Sequence, residues 1–153
     1  MQRALRWASL GLFSIVALFL IWFGVTYATV TDMLWFHAAA VPEPARDDVR
    51  TLYLALMNLI GGSSAALGLM SLYLIAIPLR RGDVWAGAAL LVCNSIPFVM
   101  AAVTAEELAA TGSPTSWHIM GVLMAVTLIA FVLDTVRAKA NQSGRRLVYD
   151  GLR

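Results

Sequence analysis

Residues 52–79 read LYLALMNLIGGSSAALGLMSLYLIAIPL, a run of 28 residues without a charged side chain. A helix needs about 20 mainly apolar residues to cross a hydrocarbon core about 30 Å thick. Three further stretches share this character, and none has a charge at its centre: residues 7–30, 84–103 and 117–136. Backbone polar groups in lipid need partners within their own segment, which favours helices. The sequence therefore predicts an all-α, integral membrane bundle of four helices.

The composition of the chain is far from that of an ordinary soluble domain. Of its 153 residues, 60% are hydrophobic and 13% are charged, against about 45–50% and about 25% in typical soluble domains. A soluble domain of this size has too little interior to bury so much apolar surface. Lipid must therefore solvate much of the chain, and residues 1–153 are predicted to form one transmembrane domain. The single cysteine, Cys93, excludes a disulfide within the chain.

The placement of lysine and arginine predicts the orientation of the bundle. Arg46 and Arg50 lie between the first two apolar stretches. The other nine of the 11 lie before the first stretch, between the second and third, or after the fourth: Arg3, Arg6, Arg80, Arg81, Arg137, Lys139, Arg145, Arg146 and Arg153. Cytoplasmic segments are enriched in these residues. We therefore expect both termini in the cytoplasm of a bacterium, a multi-pass arrangement in its inner (plasma) membrane, and a basic cytoplasmic tail over residues 137–153.

A cleaved secretory signal is the alternative interpretation of the first apolar stretch. Such a signal has an apolar core of about 7–15 residues, which is shorter than residues 7–30. We therefore expect the stretch to remain as the first helix.

The second apolar stretch contains small residues at helical spacing. Gly61 and Ala65 are four residues apart, as are Ser64 and Gly68, so each pair lies on one helix face. Small residues let helices approach closely in a membrane. We favour packing inside the bundle. The alternative is a docking face for another subunit or another copy of the chain.

Asn58 and Asn94 are the conspicuous polar residues at depth in the second and third stretches. Counting about 1.5 Å per residue from Arg50 and from Ala105 places them about 12 Å and about 16 Å into the bundle. We expect their amides to meet and hydrogen-bond, with a contact to a ligand or quinone as the alternative. Pro97, one turn after Asn94, is expected to kink the third helix.

Five polar residues are expected near the outer face of the membrane: Asp32, His37, Glu106, Glu107 and His118. Two histidines with carboxylates can bind zinc or another divalent metal. They do not have a recognised ligand spacing, and histidines beside tryptophan are typical of the aromatic belt at a membrane surface. Carboxylates at a helix C-terminus oppose the helix dipole. We therefore expect Glu106 or Glu107 to pair with Arg50.

The fourth stretch ends with Asp134 and Arg137, three residues apart, which predicts an ion pair along one helix face. Beyond them, basic residues up to Arg146 can contact anionic lipid headgroups.

The basic start of the chain, the pair Gly61-Gly62 and the turn Pro78-Leu79-Arg80-Arg81-Gly82 resemble features of small bacterial four-helix membrane proteins of the broad DoxX-like class. The likeness covers most of the chain and includes no diagnostic motif. It implies a four-helix fold and, where activities have been proposed for the class, quinone-linked or sulfur redox chemistry. It assigns no residue to that chemistry.

The residues favour a non-catalytic membrane subunit or accessory protein of a larger membrane complex. Its expected partners are the lipid bilayer and other membrane subunits, or further copies of itself; neither a nucleic-acid partner nor a cofactor is predicted. One alternative is a redox protein that binds a small ligand or quinone through four residues: Asn58, Asn94, Glu106 and Glu107. The other is a metal-dependent enzyme that uses His37, His118 and one of the glutamates.

Overall fold

The structure, a computed structural model, describes the backbone of residues 2–150 and the side chains of residues 2–140. Within this part, the chain is all-α and contains no strand. The helices in chain order are α1 (Gln2–Ala28), α2 (Trp35–Ala38), α3 (Arg46–Leu74), α4 (Val84–Ala110) and α5 (His118–Asp150). A 3₁₀ turn (Glu43–Ala45) precedes α3, and a π-helical turn (Ile75–Leu79), which contains Pro78, continues it.

Four of these helical segments are long and apolar enough to cross a membrane: Gln2–Ala28, Glu43–Leu79, Val84–Ala110 and His118–Ala140. They include the four predicted stretches or most of each. Their ends differ from the apolar runs because polar residues extend the helices. Asp47 and Asp48 lie in the first turn of α3, where carboxylates interact favourably with the helix dipole.

α1 is the central helix of the bundle. Its most extensive contacts are with α3, and it also packs along α5, which in turn packs along α4. The contacts between α3 and α4 are few, although the tight turn at residues 80–83 makes them antiparallel and consecutive. The order around the bundle is therefore α3, α1, α5, α4, with a sparse α3–α4 boundary.

Glycines bring α1 and α3 into backbone contact. A Cβ atom added to Gly24 would lie 2.4 Å from the backbone nitrogen of Ala65, and one added to Gly61 would lie 2.2 Å from that of Ala28. A Cβ atom on Gly68 would lie 2.7 Å from the side chain of Ile21. The small-residue face that was identified in the sequence therefore packs inside the bundle, against α1.

Two apolar clusters fill the interior of the bundle. One lies towards residues 79–86, and its members are Leu10, Phe13, Ala17, Ile75, Leu79, Ala86, Leu90 and Ala130. The other lies towards the opposite end of α1 and contains Val16, Leu20, Phe98 and Leu123. The two clusters follow one another along α1, which explains why α1 buries more of its apolar window than any of the other three candidate spans.

The bundle has two chemically different ends. We call the end that contains residues 29–45 and 111–117 the His37 end, and the end that contains residues 2–6, 80–83 and 134–140 the Arg80 end. Their charged side chains in the described part of the chain differ in sign. The His37 end carries Asp32, Glu43, Asp47, Asp48, Glu106 and Glu107 against Arg46 and Arg50; the Arg80 end carries Arg3, Arg6, Arg80, Arg81, Arg137 and Lys139 against Asp83 and Asp134. The predicted tail cations Arg145, Arg146 and Arg153 lie outside the side chains that the structure describes.

Candidate functional site

At the His37 end, the connection between α1 and α3 folds into an ordered cap. The phenol oxygen of Tyr53 on α3 accepts a hydrogen bond from the backbone N–H of Leu34 at 3.2 Å and lies 2.8 Å from Nδ1 of His37. Because the phenol accepts from Leu34, its own proton is available for His37. The arrangement fits a neutral imidazole whose Nδ1 accepts and whose Nε2 carries the hydrogen.

Aromatic rings enclose His37 on several sides. Its ring lies 4.5 Å from that of Phe36, 5.6 Å from that of Tyr53 and 6.2 Å from that of Tyr27, measured between centroids. Burial among these rings lowers the pKa of His37, because a poorly solvated site disfavours the charged imidazolium. The neutral form and the Tyr53 hydrogen bond therefore support one another.

Two arginines of α3 tie the cap to the bundle. Arg46 donates to the carbonyls of Ala38 at 3.0 Å and Val41 at 3.2 Å. Arg50 donates to Asp32 at 3.3 Å and to the carbonyl of Thr31 at 2.9 Å. The pKa of Asp32 is lowered, first by the hydrogen bond from the Met33 backbone and then by Arg50.

An open cleft of about 370 Å³ lies beside these anchors, lined by Asp32, Met33, Ala38, Arg46, Asp47 and Arg50. Its arginines already have partners within the cap, so they serve chiefly to hold the loop.

The loop between α4 and α5 joins the cap through Ser113, a buried residue whose hydroxyl donates to the carbonyl of Phe36. Thr115 donates to the carbonyl of Ala105 at 2.8 Å. Ser116 accepts from the backbone N–H of His118 at 3.3 Å, an interaction typical of the start of a helix. The two loops of the His37 end therefore form one connected layer over the helix ends.

The expected pairing of Arg50 with Glu106 or Glu107 was wrong. Arg50 pairs with Asp32, because the cap places that carboxylate one side chain away. Both glutamates are exposed on α4, and among the described residues neither takes part in an ion pair.

His37 and His118 occupy separate surroundings. His118 is exposed, stacks on Trp117 with ring centroids 4.6 Å apart, and contacts the hydroxyl of Ser116 through Nδ1. In the part of the chain that the structure describes, no three histidine, cysteine or acidic side chains converge on a possible metal position. The five polar residues thus lie at one end of the bundle without forming a common metal site among the described residues.

The expected hydrogen bond between Asn58 and Asn94 was also wrong. Asn58 donates to the carbonyl of Ala28 at 3.3 Å, whereas Asn94 accepts from the hydroxyl of Ser71 at 3.0 Å. Ser71 is 13 residues beyond Asn58 along the helix (71 − 58), which corresponds to about 20 Å. The error arose from counting depth from the outer ends of α3 and α4, which are not level, because the helical segment Glu43–Leu79 has 37 residues and Val84–Ala110 has 27.

Asn94 is fully buried, and it links α3 to α4 at their sparse boundary. Its amide nitrogen has no partner among the described atoms. Asn58 is exposed on α3. The four residues considered for a ligand or quinone site, Asn58, Asn94, Glu106 and Glu107, are therefore not brought together.

The Arg80 end holds a buried ion pair. Nη2 of Arg137 lies 2.7 Å from Oδ1 of Asp134, and the two side chains are only 7% and 4% exposed. The predicted pair is confirmed, but its burial was not expected from the sequence. Ionisable groups within candidate spans are rare, and they commonly mark functional sites.

Elements from all four candidate spans meet at this pair. The added Cβ of Gly87 on α4 would lie 3.0 Å from Oδ2 of Asp134 and 3.7 Å from Leu79. The next residue, Arg80, accepts a 2.6 Å hydrogen bond from Arg6 of α1 through its carbonyl. We call Arg6, Arg80, Asp134 and Arg137 the Arg6–Arg137 cluster.

The packing of α1 against α5 places Arg6 at the level of Asp134. The hydroxyl of Ser9 donates to the carbonyl of Ala130 at 2.9 Å. One turn towards the N-terminus of α1 lies Arg6, and one turn further along the antiparallel α5 lies Asp134. The sequence did not predict that Arg6, Ser9 and Gly87 lie near the Asp134–Arg137 pair. The available signal was Asp134, a carboxylate near the end of an apolar run.

No family model matches this sequence, and no curated protein or solved structure was found to be similar to it. The resemblance to the DoxX-like class therefore stays a prediction from the residues quoted for it.

Proposed function

We propose that the chain is an integral membrane protein that crosses the bacterial inner membrane four times, with both termini in the cytoplasm. The four long apolar helices support the crossing. The charge difference between the two ends supports the orientation, because cytoplasmic segments carry the excess of lysine and arginine. On this proposal the Arg80 end faces the cytoplasm and the His37 end faces the opposite side.

Cysteine labelling tests this orientation. In a Cys93→Ser background, exposed positions at the two ends are replaced one at a time, as Glu43→Cys and Arg81→Cys. In intact bacterial cells, a membrane-impermeant maleimide is expected to label the Glu43→Cys protein at once and the Arg81→Cys protein only after permeabilisation. The reverse pattern would contradict the orientation, and equal labelling at both positions in intact cells would contradict the crossing itself.

Within the membrane, we propose that the protein acts as a non-catalytic subunit or accessory protein that binds another membrane helix. The observation that carries this proposal is the outward face of α3, where Gly62 and Ala66 are exposed one turn apart. An added Cβ on Gly62 would meet no atom within 4 Å. Small residues on an outward face leave a shallow groove that lets a second helix approach closely.

This face differs from the one that packs inside the bundle. Gly61 and Gly68 are buried against α1, whereas Gly62 and Ala66 lie on a different, outward face of the same helix, among exposed Leu59 and Tyr73. Lipid alone does not require small residues, since larger apolar side chains fill the same space favourably. A partner helix does require them.

Filling the groove tests the proposal. After purification in a mild detergent, the amount of partner bound to the double variant Gly62→Leu, Ala66→Leu is expected to be lower than that bound to the wild type by a factor of about ten or more. A loss of about 1.4 kcal/mol of packing energy corresponds to that factor. Mass spectrometry of the co-purified chains measures the loss. Co-purification of a differently tagged copy of the same chain distinguishes self-association from binding to another subunit.

Gly11→Leu is the matched control, since Gly11 is an exposed glycine of α1 with no atom within 4 Å of an added Cβ. It is expected to leave the partner bound. Equal retention by the double variant and by the control would contradict the proposal, as would a wild-type protein that purifies alone as a monomer.

A further inference from the structure

The Arg6–Arg137 cluster contains more positive than negative charge in a confined volume. The cluster contains one buried carboxylate, that of Asp134, and its Oδ1 pairs with Arg137. The guanidinium of Arg6 donates one hydrogen bond to the carbonyl of Arg80. That carbonyl is neutral, so it does not balance the charge of Arg6. A charge taken out of water needs a counter-charge.

Two guanidinium donors in the cluster are buried without an acceptor. They are Nε of Arg6 and Nε of Arg137, neither of which has a hydrogen-bond partner among the described residues. Buried donors in folded proteins are nearly always paired. Arg137 is especially constrained, because its side chain is more than nine-tenths buried and its position is held by Asp134.

We propose that the Arg6–Arg137 cluster binds a phosphate group, that of an anionic phospholipid headgroup. A phosphate supplies the missing negative charge, and its oxygens accept several N–H donors from arginine at once. Arg6 is the arginine of the pair that a headgroup can reach, because it is half-buried whereas Arg137 is almost fully covered by protein. The cluster lies at the end of the candidate spans, where headgroups lie. The exposed Arg80 and Arg81 extend the positive surface outward from it.

The inference rests on the proposed membrane crossing, and it is more specific than the general attraction of basic residues to anionic lipid. It assigns a bound lipid to Arg6, a half-buried residue of α1. Arg3, one turn earlier on the same helix, is fully exposed and is not assigned to the site. Diffuse attraction to a charged surface would depend on the two arginines equally.

Native mass spectrometry tests the proposal. The full chain is reconstituted in nanodiscs of phosphatidylglycerol and phosphatidylcholine, and the protein is then released from the nanodiscs in the spectrometer. The wild type is expected to retain one phosphatidylglycerol per chain. Arg6→Gln is expected to weaken this binding by at least about tenfold, because a hydrogen bond to a charged group contributes about that factor or more. The matched control Arg3→Gln, which removes the same charge, is expected to retain the lipid.

Arg6→Lys refines the result, since it keeps the charge but lacks the Nε–H and the fork of the guanidinium; it is expected to bind less than the wild type. Circular dichroism checks that each variant is folded. Inorganic phosphate added at millimolar concentration to delipidated protein distinguishes the source. An Arg6-dependent rise in thermal stability with phosphate alone would support the phosphate site while assigning it to a free anion.

Equal losses from Arg6→Gln and Arg3→Gln would overturn the proposal, as would a wild type that retains no phosphatidylglycerol. A chain that does not enter the nanodiscs would instead contradict the proposed membrane crossing. The two failures are therefore distinguishable.

Discussion

Gly61→Ala is expected to destabilise the protein strongly, although it adds a single methyl group. The new Cβ would lie 2.2 Å from the backbone nitrogen of Ala28 and 2.5 Å from the carbonyl oxygen of Gly24. Backbone atoms cannot rotate away as a side chain can, so α1 and α3 must separate. Overpacking typically costs about 1–3 kcal/mol, occasionally more, and we expect the upper part of this range. Thermal unfolding in detergent, followed by circular dichroism, measures the loss.

The neighbouring glycine provides the matched control. Gly62→Ala makes the same chemical change on the same helix, but its Cβ would meet nothing within 4 Å. Alanine is also a better helix former than glycine by about 1 kcal/mol, so this variant is expected to be as stable as the wild type or slightly more stable. Similar melting temperatures for the two variants would contradict the backbone contact between α1 and α3.

Arg137→Met is expected to have the second large effect. It removes the partner of Asp134 and leaves a carboxylate that is 4% exposed without a counter-charge. Breaking a buried ion pair by removing one partner costs about 3–5 kcal/mol. The free energy of unfolding in detergent should fall by that amount, and the midpoint of thermal unfolding should fall with it.

A second substitution separates lost attraction from the cost of an unpaired charge. Arg137→Met combined with Asp134→Asn removes both charges and keeps a side chain of the size that fits against Gly87. We expect it to recover a large part of the stability. Arg50→Met makes the same change at the exposed pair with Asp32 and is expected to alter stability little, because water screens such pairs. A loss at Arg50 as large as that at Arg137 would refute the importance of burial.

Much of the fold could be predicted because lipid-spanning helices leave long apolar runs. The pair of Asp134 with Arg137 could also be predicted, since it depends only on spacing along one helix. The inward packing of Gly61 was the favoured interpretation. Its partner Gly24 was not identified, because nothing in the run at residues 7–30 shows which face meets α3.

The errors concern relations between helices. Asn58 and Asn94 were placed at similar depth by counting from the outer ends of their apolar runs, but those ends are not level, because the segment Glu43–Leu79 is longer than Val84–Ala110. Arg50 was assigned to a glutamate because the fold of residues 29–45, which brings Asp32 to it, leaves no periodic signal. The place of Arg6 and Arg80 beside the predicted Asp134–Arg137 pair was missed for the same reason, since the cluster joins three helical segments that are distant in sequence.

The central position of α1 has a consequence for synthesis. The ribosome makes α1 first, yet α1 can complete its contacts only when α3 and then α5 have followed. α4 packs mainly against α5, which is made after it, so α4 has little to pack against until α5 has been synthesised. The four-helix arrangement therefore cannot form progressively from α1 onward. It must wait for α5, which packs along α1 and holds α4 in place.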